Sequence, residues 1–207
     1  NKEQRFALEL LLNDQIRVAT LVGRAGTGKT LLAIAVGLEK VMEQKTYSRL
    51  LVTRPVIPLG NDLGFLPGSK EEKLRPWMQP IYDNLEFIFS NNPEPHRIIE
   101  HLMDRGILEM EALAYIRGRS IPKQFIICDE AQNLTPHMIK TLITRVGEGT
   151  KIVFTGDPEQ IDHPYLDASS NGLTYLVEHL KDEEIAGHVT LFKGERSLVA
   201  EMGARLL

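Results

Sequence analysis

Apolar positions recur along this chain with two different periods. Phe6, Leu8, Leu11 and Leu12 follow helical spacing, and the mostly apolar run Val18 to Val22 behind them reads as a strand. Glycines at 23, 26 and 28 come next, and Leu31 to Met42 then returns to helical spacing. Further strand-like runs cover Leu50 to Val52, Ile107 to Met110, Phe125 to Cys128, Lys151 to Thr155 and Val189 to Phe192. Helical stretches cover Pro136 to Val146, Leu173 to Leu180 and Leu198 to Leu206. Apolar strands alternating with helices predict a three-layer α/β fold with a mainly parallel sheet.

Between residues 55 and 100 the pattern loosens. Pro55, Pro58, Pro67, Pro76, Pro80, Pro93 and Pro95 surround and interrupt a helix predicted around Ile81 to Phe89, and the stretch reads as an insertion on the core. No linker-like run or internal repeat divides the chain, so one domain over residues 1–207 is expected. The chain opens at Asn1 and runs straight into a periodic segment, which predicts a piece of a longer polypeptide.

Composition narrows the classes. A formal net charge of -4 rules out a uniformly basic surface, so any nucleic-acid contact must come from local clusters. The one cysteine, Cys128, sits in an apolar run, which excludes a disulfide framework and predicts core packing in a reducing, cytoplasmic setting. No run approaches the roughly 18 apolar residues of a membrane span. His96 and His101 are five apart, which misses helical same-face spacing, and no zinc site is expected.

Three segments carry chemistry. Gly23-Arg24-Ala25-Gly26-Thr27-Gly28-Lys29-Thr30 matches G-x-x-x-x-G-K-[ST] between a predicted strand and a predicted helix. There the backbone N–H groups and the helix start can wrap a triphosphate, Lys29 can reach its β- and γ-phosphates, and Thr30 can ligate Mg²⁺. Asp129 and Glu130 end the apolar run Phe125 to Cys128; Asp129 suits the metal, and Glu130 suits the base that polarises the attacking water. Thr155-Gly156-Asp157-Pro158-Glu159-Gln160 follows another apolar strand.

Together the phosphate loop, Asp129-Glu130-Ala131-Gln132 and Gly156-Asp157-Pro158-Glu159-Gln160 resemble the first motor domain of superfamily 1 helicases. Val52-Thr53-Arg54-Pro55, Gly60 to Gly68 with Leu74-Arg75-Pro76-Trp77, and Thr144-Arg145-Val146-Gly147 resemble the PhoH-type ATPases, over nearly the whole chain. The resemblance implies that Gln160 senses the γ-phosphate and that Gln4 hydrogen-bonds adenine, which favours ATP; the bland alternative for Gln4 is a surface residue of an amphipathic helix. It also implies that Arg54 touches the backbone of single-stranded nucleic acid, with RNA the expected strand.

A superfamily 1 helicase completes its ATP site with arginines from a second motor domain, which these residues lack. The resemblance implies a homo-oligomeric ring, a hexamer, in which Arg196 or Arg145 reaches a neighbour's site; either arginine could instead be an ordinary surface or structural residue. Many relatives carry a PIN-type nuclease domain, so one is expected in the longer chain. From charge alone, Arg117, Arg119 and Lys123 put three cations and no acid into seven residues, either a phosphate contact or a solvated turn. Trp77, beside Pro76 and Met78, reads as a packing anchor rather than a base-stacking ring. Two functional classes follow: an ATP-driven motor on RNA, and an ATP-driven switch on protein partners. A kinase is disfavoured, because both acidic boxes suit water activation and phosphate sensing.

Overall fold

The computed structural model describes residues 1–56, 70–116 and 120–194. Its strands are β1 (Val18–Gly23), β2 (Arg49–Arg54), β3 (Leu108–Ala112), β4 (Gln124–Cys128), β5 (Lys151–Gly156) and β6 (Ala186–Leu191). They form one sheet in the order β3-β2-β4-β5-β1-β6, with every neighbouring pair parallel. Parallel neighbours cannot be joined by a hairpin, so each connection climbs back over a face of the sheet through helix. α1 (Lys2–Leu12) precedes β1, and α2 (Lys29–Leu38) follows it, extended by a π-turn over Glu39–Glu43. α3 (Lys70–Ile88) and α4 (Pro95–Asp104) lie between β2 and β3, and α5 (Leu113–Ile116) follows β3. α6 (Pro136–Ile143) and α7 (Gly172–Leu180) make the last two crossovers.

Strand pleat divides the interior into two cores. Leu50 and Val52 of β2, Phe125 and Ile127 of β4 and Val153 of β5 enter one core with side chains of α1 to α4. Leu51, Ile126, Cys128, Ile152 and Phe154 enter the other with α5, α6 and α7. Both faces of the central strands are thus buried, which is why these strands read as unbroken apolar runs. Cys128 is fully buried, and burial pushes its thiol well above the usual range.

The segment from 70 to 104 is more regular than its prolines suggest. Pro76 and Pro80 lie inside α3, four residues apart on its exposed side, while Met78, Ile81 and Leu85 are buried on the other. A carbonyl that loses its helix partner on the solvent side can be hydrated, so the buried stripe decides the conformation. α4 starts with Pro95 in its first turn and buries Ile99 and Leu102; that proline and the spacing of Ile98, Ile99, Leu102 and Met103 were its sequence signal. In α1 the buried pair is Ala7 and Leu11, whereas Phe6 and Leu12 are exposed, so the apolar stripe is turned from its predicted centre. The predicted helix Leu198 to Leu206 lies outside the described residues.

Lys151 opens β5 and is fully buried. Its ammonium donates to the carbonyls of Leu10 (3.0 Å), Leu11 (2.7 Å) and Asn13 (2.9 Å), so its three donors meet the open end of α1. Burial nevertheless pushes its pKa down from 10.5 to about 8. Between those two values the unfolded chain keeps a proton that the folded chain has released, so stability rises with pH across that window. Lys151→Met should cost about 1–3 kcal/mol in urea denaturation, since it strands buried carbonyls, and should remove the rise in stability above pH 8.

Candidate nucleotide-binding and hydrolysis site

All the strands point their carboxyl ends to one edge of the sheet, and the loops of β1, β2, β4 and β5 meet there. The loop after β1 reaches α2 through Gly26 (φ 81°) and Gly28 (φ 87°), left-handed conformations that only glycine adopts at little cost. Lys29 is buried, with its ammonium donating to the carbonyls of Gly23 (2.6 Å) and Arg24 (2.9 Å). Thr30 Oγ1 donates to Asp129 Oδ1 at 2.7 Å.

Asp129 follows directly after β4 and is 4% exposed. Thr155 of β5 donates to the same oxygen, Oδ1, at 2.6 Å, and Arg54 Nε lies 3.2 Å from Oδ2. Glu130 takes a left-handed backbone (φ 55°), an uncommon choice for a side-chain-bearing residue and of the kind held only by well-determined surroundings. Its carboxylate accepts from Arg54 Nη2 at 3.2 Å and from the amide of Gln132.

Gln132 is fully buried and gathers the site around it. Beyond Glu130, its amide donates to the Gln160 carbonyl (2.9 Å) and accepts from the Asp157 backbone N–H (3.1 Å). Asp157 Oδ2 accepts from the Ala25 N–H of the phosphate loop (3.1 Å), while the exposed pair Arg24 and Glu159 meets at 2.9 Å. Asn133 accepts from the backbone N–H groups of Asp162 (2.8 Å) and His163 (3.3 Å).

Lys29, Thr30, Asn84, Asp129, Glu130 and Gln160 line one open cavity of about 310 Å³ together with Ala25, Gly26 and Gly28. A donor-rich loop, a buried lysine and a paired acid opposite make it a receptor for a phosphorylated ligand. A hydroxyl and a carboxylate oxygen, Thr30 and Asp129, suit a magnesium ion, which keeps several waters and borrows phosphate oxygens rather than needing a protein cage. Among the described residues no cluster of three His, Cys, Asp or Glu could hold a metal alone. A second hollow of about 360 Å³ is lined by Pro55, Leu113, Asn133, Met138, His163 and Tyr165 among others.

The other expected residues are placed less uniformly. Gln4 donates to the Thr27 carbonyl at 3.2 Å and so stands against the phosphate loop rather than free on the surface. Arg54 faces inward to the two carboxylates, with only 14% of its side chain exposed, and not outward as a nucleic-acid contact would. The reason is electrostatic, since Asp129 and Glu130 are adjacent and a buried acid requires a partner. Lys123 precedes β4 at the amino end of the sheet, the end opposite the cavity. Arg145, just past α6, borders a separate small hollow with Leu113 and Leu142. Arg117, Arg119 and Arg196 lie outside the described residues. Trp77 is half-buried on α3, and its carbonyl accepts from Arg54 Nη1 at 2.8 Å. Asp157 and Gln132 belong to the two acidic boxes but carried no individual signal; Asn133, one residue past the first box, and Asn84 had none.

Fold and site together define a P-loop nucleotide-binding protein of the nucleotide-hydrolysing class. The chain belongs to the PhoH-like protein family, whose profile matches residues 1–200. It is 60% identical over 207 residues to Protein PhoH2 of Bacillus subtilis (strain 168), covering 100% of this chain and 47% of that one. It is 40% identical over 206 residues to Protein PhoH2 of Mycolicibacterium smegmatis, covering 99% of this chain and 46% of that one. The chain thus spans about half the length of these relatives. Among solved structures it is similar to a Pif1 helicase from Candida albicans, with a TM-score of 0.49 at 15% identity over 99% of this chain and 42% of that chain.

Gln132→Met keeps the bulk but removes the amide, leaving the Asp157 N–H without its acceptor and Glu130 Oε2 without its amide donor. Thermal or urea denaturation should show a loss of about 1–3 kcal/mol.

Proposed function

We propose that this domain hydrolyses ATP with magnesium and uses the cycle to move along single-stranded RNA or to unwind paired RNA. The observation that carries the reading is the convergence of Lys29, Thr30, Asp129, Glu130 and Gln160 on one cavity. Lys29 exchanges its loop carbonyls for β- and γ-phosphate oxygens, and the loop N–H groups, including that of Ala25, turn to the phosphates. Thr30 and Asp129 would hold magnesium, which would neutralise phosphate charge. Glu130 takes the proton of the water that attacks the γ-phosphorus, and ADP and phosphate leave. Gln4, against the loop, offers a donor and an acceptor for the adenine edge.

The second hollow supports the nucleic-acid half of the reading. Its walls are largely apolar, and Tyr165 stands 87% exposed with its ring 6.0 Å from that of His163, a surface on which a base can stack. Asn133, bonded to the His163 N–H, is the chain neighbour of Gln132, which is bonded to Glu130 and Gln160, so one peptide link and these hydrogen bonds join hollow and ATP site. A ring of copies, with Arg196 or Arg145 acting on a neighbour's phosphates, completes the reading. Recovered turnover on mixing inactive Arg196→Ala with Lys29→Ala subunits would support that arrangement.

Phosphate release from ATP, with and without single-stranded RNA at low salt, tests the whole reading. RNA should raise the rate, and Lys29→Ala should abolish it. Glu130→Gln should still bind ATP while slowing hydrolysis about 10²–10⁴-fold. Lys29-dependent hydrolysis indifferent to RNA would sink the motor and favour a switch acting on protein partners.

A further inference from the structure

We propose that Arg54 is a positioning residue for hydrolysis, holding the Glu130 carboxylate in a clamp anchored in α3; this rests on the ATPase reading above. Three nitrogens of one guanidinium meet three different groups: Nε lies 3.2 Å from Asp129 Oδ2, Nη2 3.2 Å from Glu130 Oε1, and Nη1 2.8 Å from the Trp77 carbonyl. Arginine's planar fork can serve three acceptors at once, whereas the compact ammonium of lysine cannot reproduce that geometry.

The third anchor gives the clamp its meaning. Trp77 and Asn84 are seven residues apart on α3, two helical turns, and therefore share a face. At Trp77 that face is tied to Arg54, and at Asn84 it lines the nucleotide cavity. α3 is thus a wall of the site, and Arg54 fixes the two carboxylates against it. Glu130 projects from a left-handed residue and is held on one oxygen by Arg54 and on the other by Gln132. Arg54 acts through Glu130 and not on the phosphates, so its loss falls on the chemical step and not on ATP binding.

The test uses the full chain with Arg54→Gln and Arg54→Lys, comparing kcat from phosphate release with the Kd of a fluorescent ATP analogue. A misplaced base costs up to about 10²-fold, so kcat should fall about 10–100-fold in both variants while Kd stays within about threefold. In single turnover, adding Arg54→Gln to Glu130→Gln should slow the reaction no further, because the residue it positions is already disabled. The proposal is overturned if Arg54→Gln turns over within about twofold of the parent, if affinity falls in step with kcat, or if the two losses add. Should Arg54→Gln not fold, Arg54→Lys decides by the same criteria. A parent chain without Lys29-dependent hydrolysis would remove the ATPase reading itself, and this proposal with it.

Discussion

The Asp129 carboxylate is the contact on which the site depends. One of its oxygens accepts from Thr30 at the start of α2 and from Thr155 at the end of β5, and the other faces Arg54 at the end of β2. Four segments distant in sequence are thereby tied at one point. A buried carboxylate is costly unless hydrogen-bonded and paired, and each of these partners is the last residue or nearly the last of a strand, or the first turn of a helix. The site can therefore hold its shape only if the sheet register holds.

That register is secured from both faces. The pleat sends alternate residues of the central strands into two cores, and slipping a strand by one residue would exchange the two sets. At the opposite side of the molecule Lys151 performs a related service, satisfying the end of α1 from the beginning of β5. α1 in turn places Gln4 against the phosphate loop. Buried polar contacts at both ends of β5 thus orient what the apolar layers only bring together.

The strands and the residues that end them were legible in the sequence because a parallel sheet buried on both faces leaves a continuous apolar signal, and because its chemistry sits at strand ends. All six strand-like runs correspond to strands. The 70 to 104 segment was harder to read. Proline weakens a helix locally, but the burial of Met78, Ile81 and Leu85 acts over the whole length of α3 and prevails.

By itself the sequence determined the phosphate loop, the acidic pair after β4, the box after β5 and the layered α/β architecture that brings them to one edge. Only the tertiary structure decided that Arg54 turns inward to those acids, that Gln132 joins Glu130 to Gln160 and Asp157, and that α3 walls the cavity through Asn84. The physical reason is that periodicity and motif spacing report local geometry and burial, whereas the pairing of a buried charge depends on which partners the folded layers place within about 3 Å of it.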